Sequence, residues 1–358
     1  MLHYAKQDND RIQISDIKGI ALNQVLSDLK DLSLRLSIMT SRHEREIDDA
    51  FEAINGLITL IHVLAEKEDN YLLWASSPLG VATISICPKD ISQFLKYALF
   101  NGKVPVILTS ATLCQGGDTL EEQYAYLTHS LGYTGEFMDR KSSPFDYTNH
   151  AMMYISNNVP YYQHDQRENY LEAAYKELVI LCNLTQGRTI VLFSAKEDMK
   201  YIHQKLRSRG SENTWSVHVQ KEGSSQDSVI SEFRKSKGVL LGTGVFWEGV
   251  NIEGSDLSQI IIFRLPFPVP SDPVYEYKAS VTENPFMEVY VPDMLLRLRQ
   301  GTGRLIRSET DLGILSILDS RLSAAAKKSY RGQVLDTLPF QKVTEDFAVL
   351  EKFVQKKE

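Results

Sequence analysis

Apolar residues recur at helical spacing in two stretches near the N-terminus. The first stretch covers residues 20–39, the second runs from Ile47 to Ile61, and the polar stretch Thr40–Glu44 separates them. Apolar positions at i, i+3, i+4 and i+7 share one face of a helix, so each stretch predicts an amphipathic helix. Residues 1 to about 66 therefore predict a helical hairpin whose two apolar faces pack as ordinary core.

After residue 70 the pattern changes to short apolar runs bounded by turn residues. Tyr71–Trp74 and Val81–Cys87 predict two strands, Ile91–Phe100 predicts a helix capped by Asp90, and Val104–Leu108 predicts a buried strand. Beyond that point the sequence predicts strands at 151–155, 189–193, 215–219, 238–242, 258–263 and 312–318, and helices at 118–132, 166–184, 196–207, 226–235 and 293–304. Strands that alternate with helices are typical of an α/β fold, a parallel sheet with helices on both faces.

The length and composition are those of an ordinary globular protein with about two domains. The 358 residues are 43% hydrophobic and 24% charged, and the formal net charge is -7. An acidic balance argues against a uniformly basic, DNA-coating protein, although a local positive surface can still bind phosphates. Between Arg297 and Arg331, eight Lys or Arg stand against three Asp or Glu. Charge alone does not distinguish a phosphate-binding surface from a solvated helix.

Two further features restrict the class of protein. No apolar run is long enough to cross a bilayer and the first residues lack a signal-peptide pattern, so we expect a cytoplasmic protein without membrane contact. The three cysteines, Cys87, Cys114 and Cys182, are far apart and form no C-x-x-C pair. This spacing predicts neither a zinc site nor a disulfide framework.

The stretch Arg299–Arg307 (RQGTGRLIR) carries the side chains best suited to a nucleotide. Arg304 and Arg307 are three residues apart, which on a helix places two guanidiniums on one face, and each can bind two phosphate oxygens. Gln300, four residues before Arg304, would share that face and reach a phosphate or an attacking water. The two glycines within the stretch would let a ligand approach the backbone. The alternative is an exposed helix with solvated arginines.

A second candidate follows the strand predicted at 238–242. Gly242-Thr243-Gly244 offers backbone N–H groups and a hydroxyl to a phosphate. Phe246 and Trp247 come next, and they could stack on a base or pack against the domain. Packing is the better interpretation for at least one of these two rings.

Two hydroxyl-containing segments also follow predicted strands. Ser110-Ala111-Thr112 could hydrogen-bond to loops that hold a nucleotide or DNA, or could form a turn that satisfies its own backbone. Ser194-Ala195-Lys196 opens a predicted helix, where a hydroxyl and a cation suit a DNA phosphate, although a simple helix cap is nearly as good an interpretation. In open parallel sheets ligands bind beyond the carboxyl ends of the strands, and all these segments fall there.

In order and spacing, Val106–Leu113, Leu241–Asn251 and Arg299–Arg307 resemble motifs III, V and VI of superfamily 2 helicases. The motif sequences Ser-Ala-Thr-Leu, Phe-Trp-Glu-Gly-Val and Gln-x-x-Gly-Arg-Leu-Ile-Arg are similar to those of the DinG branch, whose members are relatives of XPD. The resemblance covers about residues 70–335. The resemblance implies a RecA-like sheet, the second motor lobe of a P-loop NTPase type, preceded by a helical arch-like insertion. It also implies ATP and Mg²⁺ as cofactors, and 5′-to-3′ movement on single-stranded DNA.

The resemblance assigns roles to individual residues. Contacts to the nucleotide fall on Gln300, Gly303, Arg304, Arg307, Glu248 and Asn251, of which Gln300 and the two arginines at the γ-phosphate would be catalytic. Contacts to nucleic acid fall on Ser194, Lys196, Gly242, Thr243 and Trp247. Coupling between the two falls on Ser110, Thr112 and Glu248, and anchoring of the arginines on Asp311, Asp319 and Arg321. Asn251 stands where the family usually has Asp, which puts a contact to the nucleotide sugar in doubt.

The sequence has neither a phosphate-binding G-x-x-x-x-G-K-[ST] loop nor an Asp-Glu-x-His box for magnesium. In the family both precede the helical insertion, and an iron–sulfur site, where present, lies upstream of the metal box. We therefore interpret the chain as a C-terminal fragment: an arch-like remnant at 1–70, the tail of the first motor lobe at 71–135 and the second lobe at 136–358. ATP and Mg²⁺ would be held mainly by residues outside this chain, and the fragment alone should hydrolyse ATP negligibly.

Two functions of different classes remain open. The first is the DNA-binding half of an ATP-dependent DNA helicase in repair or replication, whose missing first lobe belongs to the same polypeptide. The second is a nucleotide-responsive regulatory module of a 3′-to-5′ exonuclease with little or no unwinding activity, which Asn251 fits slightly better. A third function, an interaction domain without nucleotide chemistry, is disfavoured by the intact Gln300, Arg304 and Arg307.

Overall fold

The structure of the protein is a computed structural model. It describes residues 12–13, 22–39, 45–66, 69–76, 81, 83–110, 113–114, 118–138, 145–208, 214–220, 225–248, 252, 256–306 and 311–355. The strands are β1 (Ile12–Gln13), β2 (Tyr71–Ser76), β3 (Thr83–Pro88), β4 (Ala151–Ile155), β5 (Thr189–Leu192), β6 (Val217–Val219), β7 (Val239–Gly242), β8 (Gln259–Ile262), β9 (Gly313–Ile317) and β10 (Val343–Thr344). The helices are α1 (Leu22–Met39), α2 (Arg45–Glu66), α3 (Ile91–Ala98), α4 (Leu120–Leu131), α5 (Tyr147–His150), α6 (Arg167–Leu184), α7 (Lys196–Ser208), α8 (Gln226–Ser236), α9 (Pro273–Ser280), α10 (Val291–Thr302), α11 (Arg331–Thr337) and α12 (Phe347–Gln355).

Seven strands form one sheet in the order β10-β4-β9-β8-β5-β7-β6, and every neighbouring pair is parallel. Strands β4, β5, β7, β8 and β9 are buried along their whole length. Continuous burial is the property of a sheet covered on both faces, and it explains why these strands are mostly apolar, with Thr189, Gln259 and Ser316 as buried, hydrogen-bonded exceptions. The predicted α/β, RecA-like fold is confirmed, and the strands and helices predicted from residue 151 onward are observed within a few residues.

Alternate side chains of each strand point to opposite faces of the sheet and build two cores. Met153 and Ile155 of β4 belong to the core that α8, α10 and α11 cover. Met152 and Tyr154 of the same strand belong to the core that α6, α7 and α12 cover. The sheet is therefore held between two layers of helices, and its carboxyl edge is left to the loops.

The N-terminal part contains a separate antiparallel sheet in the order β1-β2-β3. Helices α1 and α2 contact each other as the predicted hairpin, and the Ser33 hydroxyl donates to the Asn55 side-chain oxygen at 2.8 Å. Helix α3 begins as predicted, because the Asp90 carboxylate accepts a hydrogen bond from the Ser92 N–H at 2.8 Å. The predicted hairpin, the two strands and this cap are confirmed, and β1 was not predicted. The prediction that both apolar faces pack as ordinary core is wrong for α1, where Val25 and Leu32 are exposed and no described side chain is buried.

Backbone contacts divide the chain into two compact units. One unit comprises Met1–Val106, His129–Thr134 and Val269–Glu283, and the other comprises Ile107–Thr128, Gly135–Pro268 and Asn284–Glu358. The parallel sheet lies in the second unit and the antiparallel sheet in the first. The domain boundaries at 70 and 135 that the resemblance implies stay predictions.

The buried strand predicted at Val104–Leu108 is wrong. No strand among the described residues pairs with this segment, and Val104 is 63% and Ile107 88% exposed. An apolar run becomes a strand only where a neighbouring strand accepts and donates its backbone hydrogen bonds. Sequence periodicity carries no information about whether such a neighbour exists.

Two other differences concern the C-terminal half. The helix predicted at 293–304 is observed as α10, which follows a π-helical turn at Phe286–Tyr290 and ends at Thr302. Helices α9, α11 and α12 were not predicted. For α9 the signal was present, because Asp272 caps the helix and Pro273 occupies its first turn.

Candidate functional site

The candidate segments collect at the carboxyl edge of the parallel sheet. Ser194 follows β5 and Thr243 follows β7, and these two strands are hydrogen-bonded neighbours. Neighbouring strands lie about 4.8 Å apart, so the two residues leave the sheet side by side. Arg264 follows β8 on the other side of β5. The strand order therefore confirms the shared edge for the segments that begin at Ser194 and Gly242. It does not do so for Ser110, because no strand among the described residues precedes that residue at 104–108.

The turn Gly244–Trp247 is a single 3₁₀ turn that follows β7. Gly244 has a φ of 53°, and a Cβ built on it would meet no atom within 4 Å, so its backbone is open to a ligand. Glu248 is exposed and Thr243 is half-buried. Gly242 differs from the prediction, because a Cβ there would lie 2.5 Å from the Cβ of Phe246. Its missing side chain makes room for the buried Phe246 ring, and the expected phosphate approach at Gly242 is not supported.

Trp247 was predicted to contact nucleic acid, and its burial contradicts that assignment. The residue is 7% exposed, and its indole N–H donates to the Phe193 carbonyl at 2.9 Å. A Cβ built on Gly301 would lie 2.9 Å from Trp247 Cε3, so the ring packs directly on α10. A buried ring with a satisfied N–H has no free face on which a base could stack. Packing, the alternative interpretation, holds for both Phe246 and Trp247.

Helix α10 ends before Arg304, which changes the geometry expected for this stretch. Gly303 is the C-cap, and its N–H donates to the Arg299 carbonyl at 3.0 Å. Because Arg304 lies beyond the helix, the expectation that Gln300 and Arg304 share one helical face is wrong. Gln300 itself is in the last turn of α10 and half-buried. Gly301 is packed against the Trp247 ring, which excludes the ligand approach predicted for it.

Arg304 is 8% exposed and binds two backbone carbonyls. Its Nη1 donates to the Phe246 oxygen at 2.8 Å and its Nη2 to the Trp247 oxygen at 2.6 Å. A guanidinium that donates two such bonds fixes both carbonyls in position. In this arrangement Arg304 joins the turn Gly244–Trp247 to the end of α10. Its contact with a phosphate stays a prediction.

Three of the predicted site residues, Arg307, Asn251 and Thr112, lie outside the described residues. Ser110 is described and exposed. It lies four residues before Cys114, whose carbonyl accepts a hydrogen bond from Arg299 Nη1. The segment predicted to couple nucleotide and DNA is therefore connected to α10.

Ser194 and Lys196 are both exposed at the start of α7. The Ser194 hydroxyl donates to the Arg264 carbonyl at 3.1 Å, which ties the end of β5 to the segment after β8. The exposed Lys196 ammonium and the α7 N-terminus provide positive charge at one place. This arrangement agrees with the predicted phosphate contact, although the hydroxyl of Ser194 already has a backbone partner.

A buried carboxylate behind Ser194 was missed by sequence reasoning. Asp198 is 2% exposed and accepts from Arg167 at 3.0 and 2.7 Å, while the second carboxylate oxygen lies 3.1 Å from Arg264 Nη2. The Arg264 guanidinium also lies 4.0 Å from the ring centre of Tyr162. One buried charge paired with two arginines holds α6, α7 and the segment after β8 together. An acidic residue in the first turn of a helix is common, so this pairing could not be predicted from the sequence.

Tyr170 and Asp319 form hydrogen bonds with the segments that follow β8 and β9 at the same edge of the sheet. The Tyr170 hydroxyl lies 2.6 Å from the Phe263 carbonyl and 2.9 Å from the Leu318 carbonyl, which bridges the ends of β8 and β9, and burial raises the pKa of this phenol. The Asp319 carboxylate accepts from Arg321 at 2.8 and 2.5 Å and from the Leu265 N–H at 3.0 Å. Asp319 and Arg321 therefore pair with each other, and the expectation that they anchor Arg304 is not supported by these contacts.

The described residues fit a nucleotide only in part. The open backbone at Gly244, the exposed Glu248 and the half-buried Gln300 offer polar groups on two segments that meet where Gly301 packs on Trp247. In the part of the chain that the structure describes, no three His, Cys, Asp or Glu side chains lie close enough together to hold a metal ion. No described helix is both long enough and apolar enough to cross a membrane.

Comparisons with known proteins agree with this geometry. A family profile described as the helicase C-terminal domain matches residues 178–344. The chain is 30% identical over 299 residues to the 3′-5′ exonuclease DinG of Bacillus subtilis (strain 168), covering 80% of this chain and 31% of that protein. It is 28% identical over 337 residues to the ATP-dependent DNA helicase YoaA of Escherichia coli (strain K12), covering 92% of this chain and 50% of that protein.

A solved structure titled XPD helicase has the same fold. It superposes with a TM-score of 0.60 at 19% sequence identity, over 94% of this chain and 58% of that one. The chain spans at most half the length of the two curated relatives. The residues that match the profile include the strands β5 to β9. Ser194, Thr243 and α10 lie within the same range. The chain therefore belongs to the family of the DinG-type helicases and corresponds to their C-terminal part.

Proposed function

We propose that this chain is the part of an ATP-dependent DNA helicase that binds single-stranded DNA and completes the ATP site. The observation that carries the proposal is the junction at Trp247. Its ring packs on Gly301 beside Gln300, its indole N–H binds the carbonyl just before Ser194, and its own carbonyl is held by Arg304. Candidate nucleotide and DNA contacts therefore share one packed junction, so displacement of either one reaches the other.

In this proposal Ser194, Lys196 and Thr243 contact phosphates of the DNA strand. Contacts to phosphates position a strand without reading its bases, so the sequence preference is weak. The fixed arrangement of Ser194 on the Arg264 carbonyl supports a defined site. The proposed direction of movement is 5′ to 3′, with roles in repair or replication, and a DNA substrate would place the protein in the cytoplasm.

Gln300, Gly303 and Glu248 are proposed to contact the nucleotide, together with the arginines. ATP hydrolysis builds charge on the transferred phosphoryl group, and an arginine that neutralises it can contribute roughly 10³–10⁵ in rate. Arg304 would combine this role with the two bonds that it donates to backbone carbonyls. Arg307 lies outside the described residues and keeps the role that the family resemblance gives it, as does Asn251.

We also propose that ATP and Mg²⁺ bind mainly to residues outside this chain. The chain covers 31% of one relative and 50% of the other, and its sequence has no phosphate-binding loop. We expect the 358-residue chain alone to hydrolyse ATP at a negligible rate, measured by phosphate release with and without single-stranded DNA. Robust hydrolysis by the chain alone would falsify this part of the proposal.

Strand-displacement assays on the full-length protein test the main proposal. Duplexes with a 5′ or a 3′ single-stranded tail are incubated with ATP, with ADP or without nucleotide. We expect displacement only with ATP and faster displacement from the 5′ tail. ATP-dependent displacement that favours the 3′ tail would overturn the proposed polarity. If neither duplex is unwound, the helicase assignment is wrong.

The second candidate function is a nucleotide-responsive module of a 3′-to-5′ exonuclease. It is favoured by the relative that carries that name and by Asn251, which stands where the family usually has Asp. The same full-length protein is assayed for degradation of labelled single strands over a range of ATP concentrations. Degradation whose rate depends on ATP, without strand displacement, would replace the helicase proposal with this one.

A further inference from the structure

We infer that Tyr126 and Arg299 are positioning residues that couple the Ser110 segment to Gln300. One bond joins Tyr126 of α4 to the start of α10, and the other joins Cys114 to the end of that helix. We call these two contacts the α10 clamp. The consequence for activity rests on the proposed function, whereas the clamp itself rests on contacts within one compact unit.

The first contact joins α4 to the start of α10. The Tyr126 hydroxyl donates to Asp293 Oδ1 at 2.6 Å, and the two residues are 167 positions apart. Asp293 is 8% exposed and lies in the first turn of α10, while Tyr126 is half-buried. A hydrogen bond from a hydroxyl to a buried carboxylate is short and strong, and it is costly to leave unmade.

The second contact joins the segment after Ser110 to the end of α10. Arg299 Nη1 donates to the carbonyl of Cys114, and Cys114 is 6% exposed. Arg299 lies in the last turn of the helix, directly before Gln300. Cys114 is four positions after Ser110, so the bond brings the proposed nucleotide contact close along the chain to the proposed coupling residue.

Helix α10 also contacts the turn Gly244–Trp247, because Gly301 packs on the Trp247 ring. One helix therefore binds Cys114 and Tyr126 through the clamp and packs on the turn after Thr243 through Gly301. A shift of Gln300 on nucleotide binding is passed to Cys114, four positions after Ser110, and to α4 while both clamp contacts are made. Without the Tyr126 hydroxyl this bond between α4 and α10 is lost, and α4 follows the helix less closely.

The chain offers a matched control on the same helix. The Tyr124 hydroxyl donates to the Met138 carbonyl at 2.8 Å, and its ring stacks on Phe137 with centroids 4.7 Å apart. Tyr124→Phe therefore removes one hydroxyl from α4, as Tyr126→Phe does, but leaves the bond to Asp293 intact. The control reports any general effect of a lost tyrosine hydroxyl on α4.

The test measures ATP hydrolysis by the full-length protein over a range of ATP concentrations, with and without single-stranded DNA. For Tyr126→Phe we expect the stimulation by DNA to fall about threefold or more, with the basal rate and the KM for ATP changed less than about twofold. Tyr124→Phe should keep the wild-type stimulation. Asp293→Ala should reduce the stimulation as Tyr126→Phe does, and the double variant should be no worse than either single variant.

Hydrogen exchange on the 358-residue chain gives a second readout that needs no activity. Tyr126→Phe should speed amide exchange in residues 120–128 and at the start of α10. Tyr124→Phe should leave exchange at the start of α10 unchanged. Unchanged exchange, or faster exchange with wild-type stimulation by DNA, would overturn the coupling role. A wild-type protein that shows no stimulation by DNA would contradict the proposed function, and the exchange result would then decide on the clamp alone.

Discussion

Arg304 holds the carbonyl of Trp247 at 2.6 Å, and the same guanidinium holds the carbonyl of Phe246 at 2.8 Å. The arginine lies just beyond the end of α10, whereas the two carbonyls belong to the turn after β7. Both carbonyls are at the end of a 3₁₀ turn, where backbone acceptors lack partners within the turn. The arginine therefore serves the packing of the site, whether or not it also contacts a nucleotide.

Arg304→Ala should lower the free energy of unfolding by about 2 kcal/mol or more, because two carbonyls lose a charged donor. Urea unfolding followed by circular dichroism measures the change. Arg297→Ala is the control, since Arg297 is an exposed residue of α10, and it should change stability by less than about 0.5 kcal/mol. Equal stability of the two variants would show that Arg304 has no anchoring role.

Gly301→Ala should destabilise the protein by about 1–3 kcal/mol, because the added Cβ overfills a packed contact. That carbon would lie 2.9 Å from Trp247 Cε3 and 3.1 Å from Leu192 Cδ1. Chemical denaturation gives the stability, and near-ultraviolet circular dichroism reports the displaced indole. Gly332→Ala in α11 is the control, because its Cβ would meet nothing within 4 Å, and it should gain about 0.5–1 kcal/mol of helix propensity. A neutral Gly301→Ala would mean that the ring has space to move.

Lys196→Ala should weaken binding of single-stranded oligonucleotides by a similar factor for every base sequence. One lost phosphate contact should also reduce the slope of log affinity against log salt by about 0.7. Fluorescence anisotropy of labelled oligonucleotides over a range of salt concentrations measures both quantities. Lys235→Ala is the control, because Lys235 is exposed in the last turn of α8, before the amino end of β7. A loss confined to one base sequence, or an equal loss in the control, would contradict a phosphate contact at Lys196.

His218 should make the stability of the second unit depend on pH. Burial lowers the pKa of His218, and the nearby Glu232 only partly opposes this, while Nε2 lies 2.8 Å from the Ser216 hydroxyl and 2.7 Å from the Ser236 hydroxyl. The folded pKa is below the unfolded value of about 6.5, so the unfolded chain binds the proton more readily. The neutral ring contributes its full stability above about pH 6.5, and this contribution is lost as the pH falls below that value.

The measurement compares wild type with His218→Gln by urea unfolding at several pH values. The free energy of unfolding of the wild type, relative to that of His218→Gln, should decrease as the pH falls from about 8 to about 5. Other titrating groups are common to both proteins and cancel in the difference. A difference that stays constant over this range would show that the ring does not titrate with a lowered pKa.

The alternation of apolar runs and amphipathic stretches determined the parallel sheet and most of its helices. The run Thr189–Phe193 predicted β5 because a strand buried on both faces must be apolar throughout. The Asp90 cap of α3 was readable because its partner is two residues away. Segments after the strands could be placed at one edge because parallel strands share their carboxyl ends. These features depend on neighbours in sequence or on the periodicity of a single element.

Tertiary structure alone decided where the polar groups of the site are directed. The pattern around Arg304 suited an exposed helical face, yet the helix ends at Thr302 and the guanidinium binds the Phe246 and Trp247 carbonyls. Asp198 gave no signal in the sequence because its partner Arg167 is 31 residues away. Hydrogen bonds and ion pairs depend on distances between groups that meet only in the folded chain. Apolar periodicity depends only on the order of neighbouring residues, so it can be recognised in the sequence.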